Sequence, residues 1–183
     1  MKKSVIIFIS LAVVVVLYVL GVNEPNDSIA KIVAKEHPTN NEVQELIDGY
    51  SNREIRDSSA SITGENLIVF HEEGEEKYPL GEELFFVSFA PYIDTTHPCE
   101  IHSLSGCQGE MVNEDIEVVI ETKDGEVIFD ETVTTGVNGF INLWVTRDQT
   151  YKLKVFYEGK EVSQSFSSFS DSATCITTPL QLQ

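Results

Sequence analysis

The sequence predicts a mainly β protein, an antiparallel β-sandwich of immunoglobulin or transthyretin type, preceded by a small helical region and an N-terminal membrane helix. Three observations carry that prediction. From about residue 61 the spacing of apolar residues drops from near four to two. Seven or so short apolar runs follow, each roughly the length of a sandwich strand. Turn signals rich in glycine and asparagine separate them about every ten residues.

The chain divides into 1–22, 23–60 and 61–183. Met1-Lys2-Lys3 precedes an uncharged apolar run from Val5 to Val22. At about 18 residues it is at the short end of what spans a bilayer, and longer than the apolar core of most signal peptides. No small-x-small cleavage pattern follows Leu20, so an uncleaved anchor is preferred to a removed signal. Lys2 and Lys3 stay inside, Glu24 and Asp27 go out, and the folded part is extracytoplasmic.

In 23–60, Asp27-Ser28 can cap a short helix with Ile29, Ile32 and Val33 on one face. After the His37-Pro38 break, Asn40 or Asn41 can cap a second helix carrying Val43, Leu46 and Ile47, with Gly49 at its end. Such a pair buries little alone, and it must pack on the main domain, act as a stalk or meet a partner. The predicted strands begin with Leu67–Phe70 and Leu84–Phe89, divided by the polar turn His71–Lys77. Ile116–Thr122 turns at Lys123-Asp124-Gly125 into Val127–Phe129. Asn138-Gly139 is a tight turn before Phe140–Val145. Tyr151–Tyr157 turns at Glu158-Gly159-Lys160 into Val162–Phe166. Cys175-Ile176-Thr177, interrupted by Pro179, suits an edge strand.

Twelve basic residues against thirty acidic ones give a formal charge of −18. Such a surface repels phosphate backbones and excludes nucleic acid as a partner. No G-x-S-x-G, H-E-x-x-H, C-x-x-C or phosphate-cradling glycine loop is present, and the scattered carboxylates single out no acid–base pair. No catalytic residue is assigned.

Between the runs ending near Ala90 and starting near Ile116 lies a long segment, Pro91 to Met111. It holds Cys99 and Cys107 of the three cysteines, His97 and His102 of the four histidines, and one of the two methionines. Loops of that length inside a compact domain are usually functional. Cys99 and His102 are close enough to share a metal, Cys107 can fold back past Gly106, and only tertiary structure could add Cys175. Soft thiolates select Cu(I), zinc or iron–sulfur centres over calcium or magnesium. Three sulfurs with an imidazole suit Cu(I), and a tetrahedral Cys₃His set equally suits zinc. The same spacing also allows a plain disulfide between Cys107 and Cys175 with Cys99 left over, the basis of a rival reading as a disulfide-stabilised interaction module. His97 reads as a turn residue, Met111 as packed core, and His37, His71 and the acidic run around Gly74 as solvated.

At this segment the sequence resembles the CueP family of periplasmic copper-binding proteins. The resemblance rests on FFVSFAPYIDTTHPCEIHSLSGCQGEM at 85–111, TTGVNGFINLWVTRDQTYKLKV at 134–155 and TCITTPLQL at 174–182. It implies a small helical part before a β-rich domain, and a metal site at Cys99, Cys107 and Cys175 with His102. It further implies copper held outside the cytoplasm, Cu(II) reduction by the cysteines, and delivery to a cuproenzyme such as a Cu,Zn superoxide dismutase. The expected partners are thus a copper ion, a recipient cuproenzyme and the membrane, with a homodimer left open. The apparent anchor departs from a family of cleaved, exported proteins.

Overall fold

A computed structural model of the protein describes residues 41–183. The anchor at 1–22 and the first helix lie outside the described residues. Among the described residues no helix is long and apolar enough to cross a membrane.

Among the described residues one helix, α1 (Asn41–Ser51), precedes eleven strands: β1 (Ser59–Ile62), β2 (Asn66–His71), β3 (Gly74–Pro79), β4 (Leu84–Phe89), β5 (His102–Ser103), β6 (Asp115–Thr122), β7 (Val127–Thr134), β8 (Ile141–Thr146), β9 (Thr150–Tyr157), β10 (Lys160–Ser167) and β11 (Cys175–Ile176). The β-rich expectation holds, but the strands form three sheets where a sandwich has two: β3-β2-β1-β5, β11-β4-β8 and β10-β9-β6-β7.

The reason for the third layer is written in β4. Its six residues, Leu-Phe-Phe-Val-Ser-Phe, are all buried. A strand with one wet face alternates, and a strand covered on both faces does not. Phe85, Val87 and Phe89 join a core with Ile116, Val118, Ile120, Leu153 and Val155 of the β6/β9 sheet. Leu84 and Phe86 enter a second core with Trp144, Ile62, Leu67, Val69 and the helix residues Val43, Ile47 and Tyr50. Each fully buried apolar side chain of this size contributes about 1.5–3 kcal/mol. The helix therefore packs on the body of the protein.

Three local expectations need correction. Gly49 does not end α1, which runs on to Ser51. The turn is made at Arg53, whose φ is +62°. The Gly49 carbonyl accepts the N–H groups of Glu54 and Ile55, and a methyl at Gly49 would lie 2.8 Å from Ile55 Cδ1. The polar stretch read as a turn at 71–77 instead supplies β3, an edge strand paired along its whole length with β2. The last strand, β11, is at a sheet edge as expected, but it runs parallel to β4, with Cys175 beside Ser88.

Candidate metal centre

The segment from 91 to 111 is held by backbone bonds at Tyr92, Glu100, Leu104 and Gly109 and by a few side chains. The Glu110 carboxylate accepts backbone N–H groups from Ile93 at 2.7 Å, Asp94 at 3.0 Å and Thr95 at 3.3 Å. Burial pushes its pKa up, yet these three donors outweigh it and the net shift is downward. Thr177 donates to the His97 carbonyl at 2.6 Å. Short as it is, β5 pairs with β1, so that His102 stands beside Ile62. Buried Thr174 links the two: its hydroxyl accepts the His102 N–H at 3.1 Å and donates to the Ile62 carbonyl at 2.6 Å.

From β5 the chain turns tightly, the Cys107 N–H donating to the Ser103 carbonyl at 3.0 Å. Beyond the turn Gly109 meets Gly139, whose φ is +75°. A Cβ on Gly109 would lie 2.5 Å from the Gly139 oxygen. Two glycines are needed for that close approach, and it brings Phe140 against the cysteines.

The four residues predicted as ligands come together. One potential ligand atom from each of Cys99, His102, Cys107 and Cys175 lies within 4.8 Å of all the others. Cys99 and Cys175 are joined by a disulfide, with Cα atoms 5.5 Å apart. The pairing considered from spacing, Cys107 with Cys175, is not the one formed. Cys107 is the free thiol, and its Sγ is 3.5 Å from Cys99 Sγ. Cys175 Sγ is 3.5 Å from His102 Nδ1. The sulfurs pack with Ala90 and Phe140 in a small cluster separate from the two larger cores.

His102 is fully buried, and its ring centroid is 4.6 Å from that of Phe140. Burial first, then His97 and Arg53, lower its pKa to about 3. The imidazole is therefore neutral at neutral pH and keeps a ring nitrogen free to bind a metal. Its Nε2 has no hydrogen-bond partner. Burial also raises the Cys107 pKa, against a backbone hydrogen bond at Ser103 and the charge of Arg53. An incoming cation that replaces the thiol proton offsets that desolvation.

Other expectations fare as follows. His97 is half-buried, 6.4 Å from the Phe140 ring, and outside the set of four. Met111 is packed in the larger core, and His71 is exposed. Sequence reasoning missed Arg53, whose Nη2 donates to the Cys107 carbonyl at 2.7 Å. No motif announces it, because its position depends on a left-handed residue that is not glycine.

A β-rich scaffold that gathers three sulfurs and one neutral, buried imidazole defines a protein able to hold a soft metal ion. A family model described as periplasmic copper-binding protein CueP matches residues 42–181. A crystal structure of S.CueP is 39% identical and superposes with a TM-score of 0.72, covering 77% of this chain and 88% of that one. No curated protein sequence matches the chain. The chain belongs to the CueP family, periplasmic copper-binding proteins, which supports an extracytoplasmic location.

Proposed function

We propose that this is an extracytoplasmic copper-homeostasis protein that binds Cu(I) through the thiolates of Cys99, Cys107 and Cys175, with His102 as the fourth ligand or gate. The observation that carries the reading is the gathering of these four side chains within 4.8 Å, packed with Ala90 and Phe140. Three soft donors and a neutral imidazole match a monovalent soft cation better than a hard one. The region 61–183 is the binding domain, 23–60 its helical lead, and 1–22 the anchor that keeps it at the membrane.

In the disulfide form only Cys107 remains a thiol, so Cu(I) binding by all three sulfurs requires reduction of Cys99–Cys175. The reverse step is chemically useful. Closing that disulfide releases two electrons, which convert two Cu(II) to two Cu(I), while the thiol protons pass to solvent. An external dithiol must later return two electrons and two protons. The copper so held would be passed to a cuproenzyme such as a Cu,Zn superoxide dismutase, with the protein acting alone or as a homodimer.

The test is an anaerobic Cu(I) titration of the reduced protein against a chromophoric chelator. One-to-one binding, lost in Cys99→Ser and Cys175→Ser, is expected, and it should weaken in acid because protons compete for the thiolates. No competition with the chelator would leave the cysteines structural. Zinc with the same ligands would instead make thermal unfolding depend on a chelator. For reduction, Cys107→Ser should still convert Cu(II) and the double variant Cys99→Ser/Cys175→Ser, left with one thiol, should not; equal rates in both would sink the redox step.

A further inference from the structure

On the far side of the Cys107 turn is a cavity of about 440 Å³ lined by Arg53, Ile55, Arg56, Ser58, Ser59 and Ser105. It takes two of the three arginines of a chain with thirty acidic residues. Neither forms an ion pair with any carboxylate among the described residues. Arg53 uses Nη2 on the Cys107 carbonyl and on Gln108 Oε1. Arg56 uses Nε on the Arg53 carbonyl at 2.7 Å. The other guanidinium N–H groups of both residues have no acceptor among the described residues.

The hydroxyls are partly committed in the same sense. Ser105 Oγ accepts the Ala60 N–H at 3.1 Å, which leaves its own proton to donate. Ser58 Oγ is engaged by Tyr50 and by Asp57, whereas Ser59 is exposed and makes no side-chain bond. The pocket thus offers a surplus of donors and two positive charges, with no carboxylate in its lining among the described residues. Guanidinium pairs of this kind recognise oxyanions through paired, charge-assisted hydrogen bonds.

We propose that this cavity is a binding site for a small doubly charged oxyanion of phosphate type, separate from the copper pocket but joined to it through Arg53. Two guanidinium groups favour a dianion over a single carboxylate. The overall charge of −18 repels free anions, so a site that takes one must do so locally. Asp57 and Glu54, which flank the arginines in sequence, oppose the ligand and favour a compact one.

The experiment follows the arginine side-chain N–H signals of the full chain by NMR while inorganic phosphate is added at constant ionic strength. Saturable shifts confined to Arg53 and Arg56 are expected. Arg56→Gln, which gives up only an exposed side chain and one bond to the neighbouring turn, should weaken binding at least about tenfold. Lys77→Gln, the same change in net charge at a distant exposed site, should leave it unchanged. Equal loss in both variants would reduce the effect to general electrostatics and overturn the site. So would shifts that never saturate, or acetate binding as tightly as phosphate, since the dianion preference would be gone.

Discussion

In the β10-β9-β6-β7 sheet, neighbouring strands pair over six to eight residues at every junction. Alternate side chains of β6 and β9 feed one core, with Val118, Ile120, Leu153 and Val155 wholly buried. The segment from 91 to 111 has two residues in a ladder, Ser103 and His102. Elsewhere it is held by scattered backbone bonds at Tyr92, Glu100, Leu104 and Gly109, by the Cys99–Cys175 disulfide, and by Glu110, Thr174, Thr177 and Arg53, each on a particular backbone group. One region is redundant, so that a lost contact is shared among many. The other is fastened at scattered points with no continuous ladder, and what those points hold is the candidate metal pocket.

The contrast implies different costs for changes in each region. Phe85→Ala, at a fully buried position of the larger core, should destabilise the protein by about 3–5 kcal/mol in denaturant unfolding. Cu(I) affinity of the folded fraction should stay the same; a parallel fall in affinity would break the division between the regions. The next effect belongs to His102. Its folded pKa of about 3 lies below the ordinary 6.5, so its contribution is complete above pH 6.5 and is lost as pH falls toward 3. Between pH 6.5 and 5 the apoprotein should lose about 2 kcal/mol through this group. His102→Gln should flatten that part of the stability profile, and an unchanged slope would assign it elsewhere.

Thr174→Val removes the hydroxyl that joins His102 to Ile62. It should cost about 1–3 kcal/mol, and unlike Phe85→Ala it should also weaken Cu(I) binding. Equal copper affinity would show that β5 is held without this fastening. At the small end is Lys77→Ala, which breaks the exposed 2.9 Å pair with Glu75. Its effect on unfolding should stay within about 0.5 kcal/mol.

The same contrast explains how much was legible in the sequence. Strands β6 and β9 announce themselves by alternation, the turns before β7, β8 and β10 by their Gly-containing signals, and α1 by the spacing of Val43 and Ile47. The four candidate ligands stand out because soft donors are rare elsewhere in the chain. The third layer was hidden, since LFFVSF in β4 reads equally as any short buried strand until its neighbours are known. Strand β3 is polar on both faces and carries no period. The pairing of Cys99 with Cys175 could not be read from spacing, because three cysteines allow several partners and only β11 lying along β4 selects one. Arg53 was invisible for a related reason: its role depends on where a turn delivers it.

The placement of Cys175 has a further consequence for the order of events in the cell. Cys107 and Cys175 are separated by β6 through β10, and a growing chain emerges from its N-terminal side at about 5–20 residues per second. For several seconds the earlier sulfurs and the imidazole exist without the strand that brings the third sulfur. The pocket closes only when β11 docks beside β4, after the β6–β10 elements have been made. The four-residue set is thereby complete only when the last strand is in place, and a chain cut short before residue 175 lacks a sulfur however well its sheets have formed.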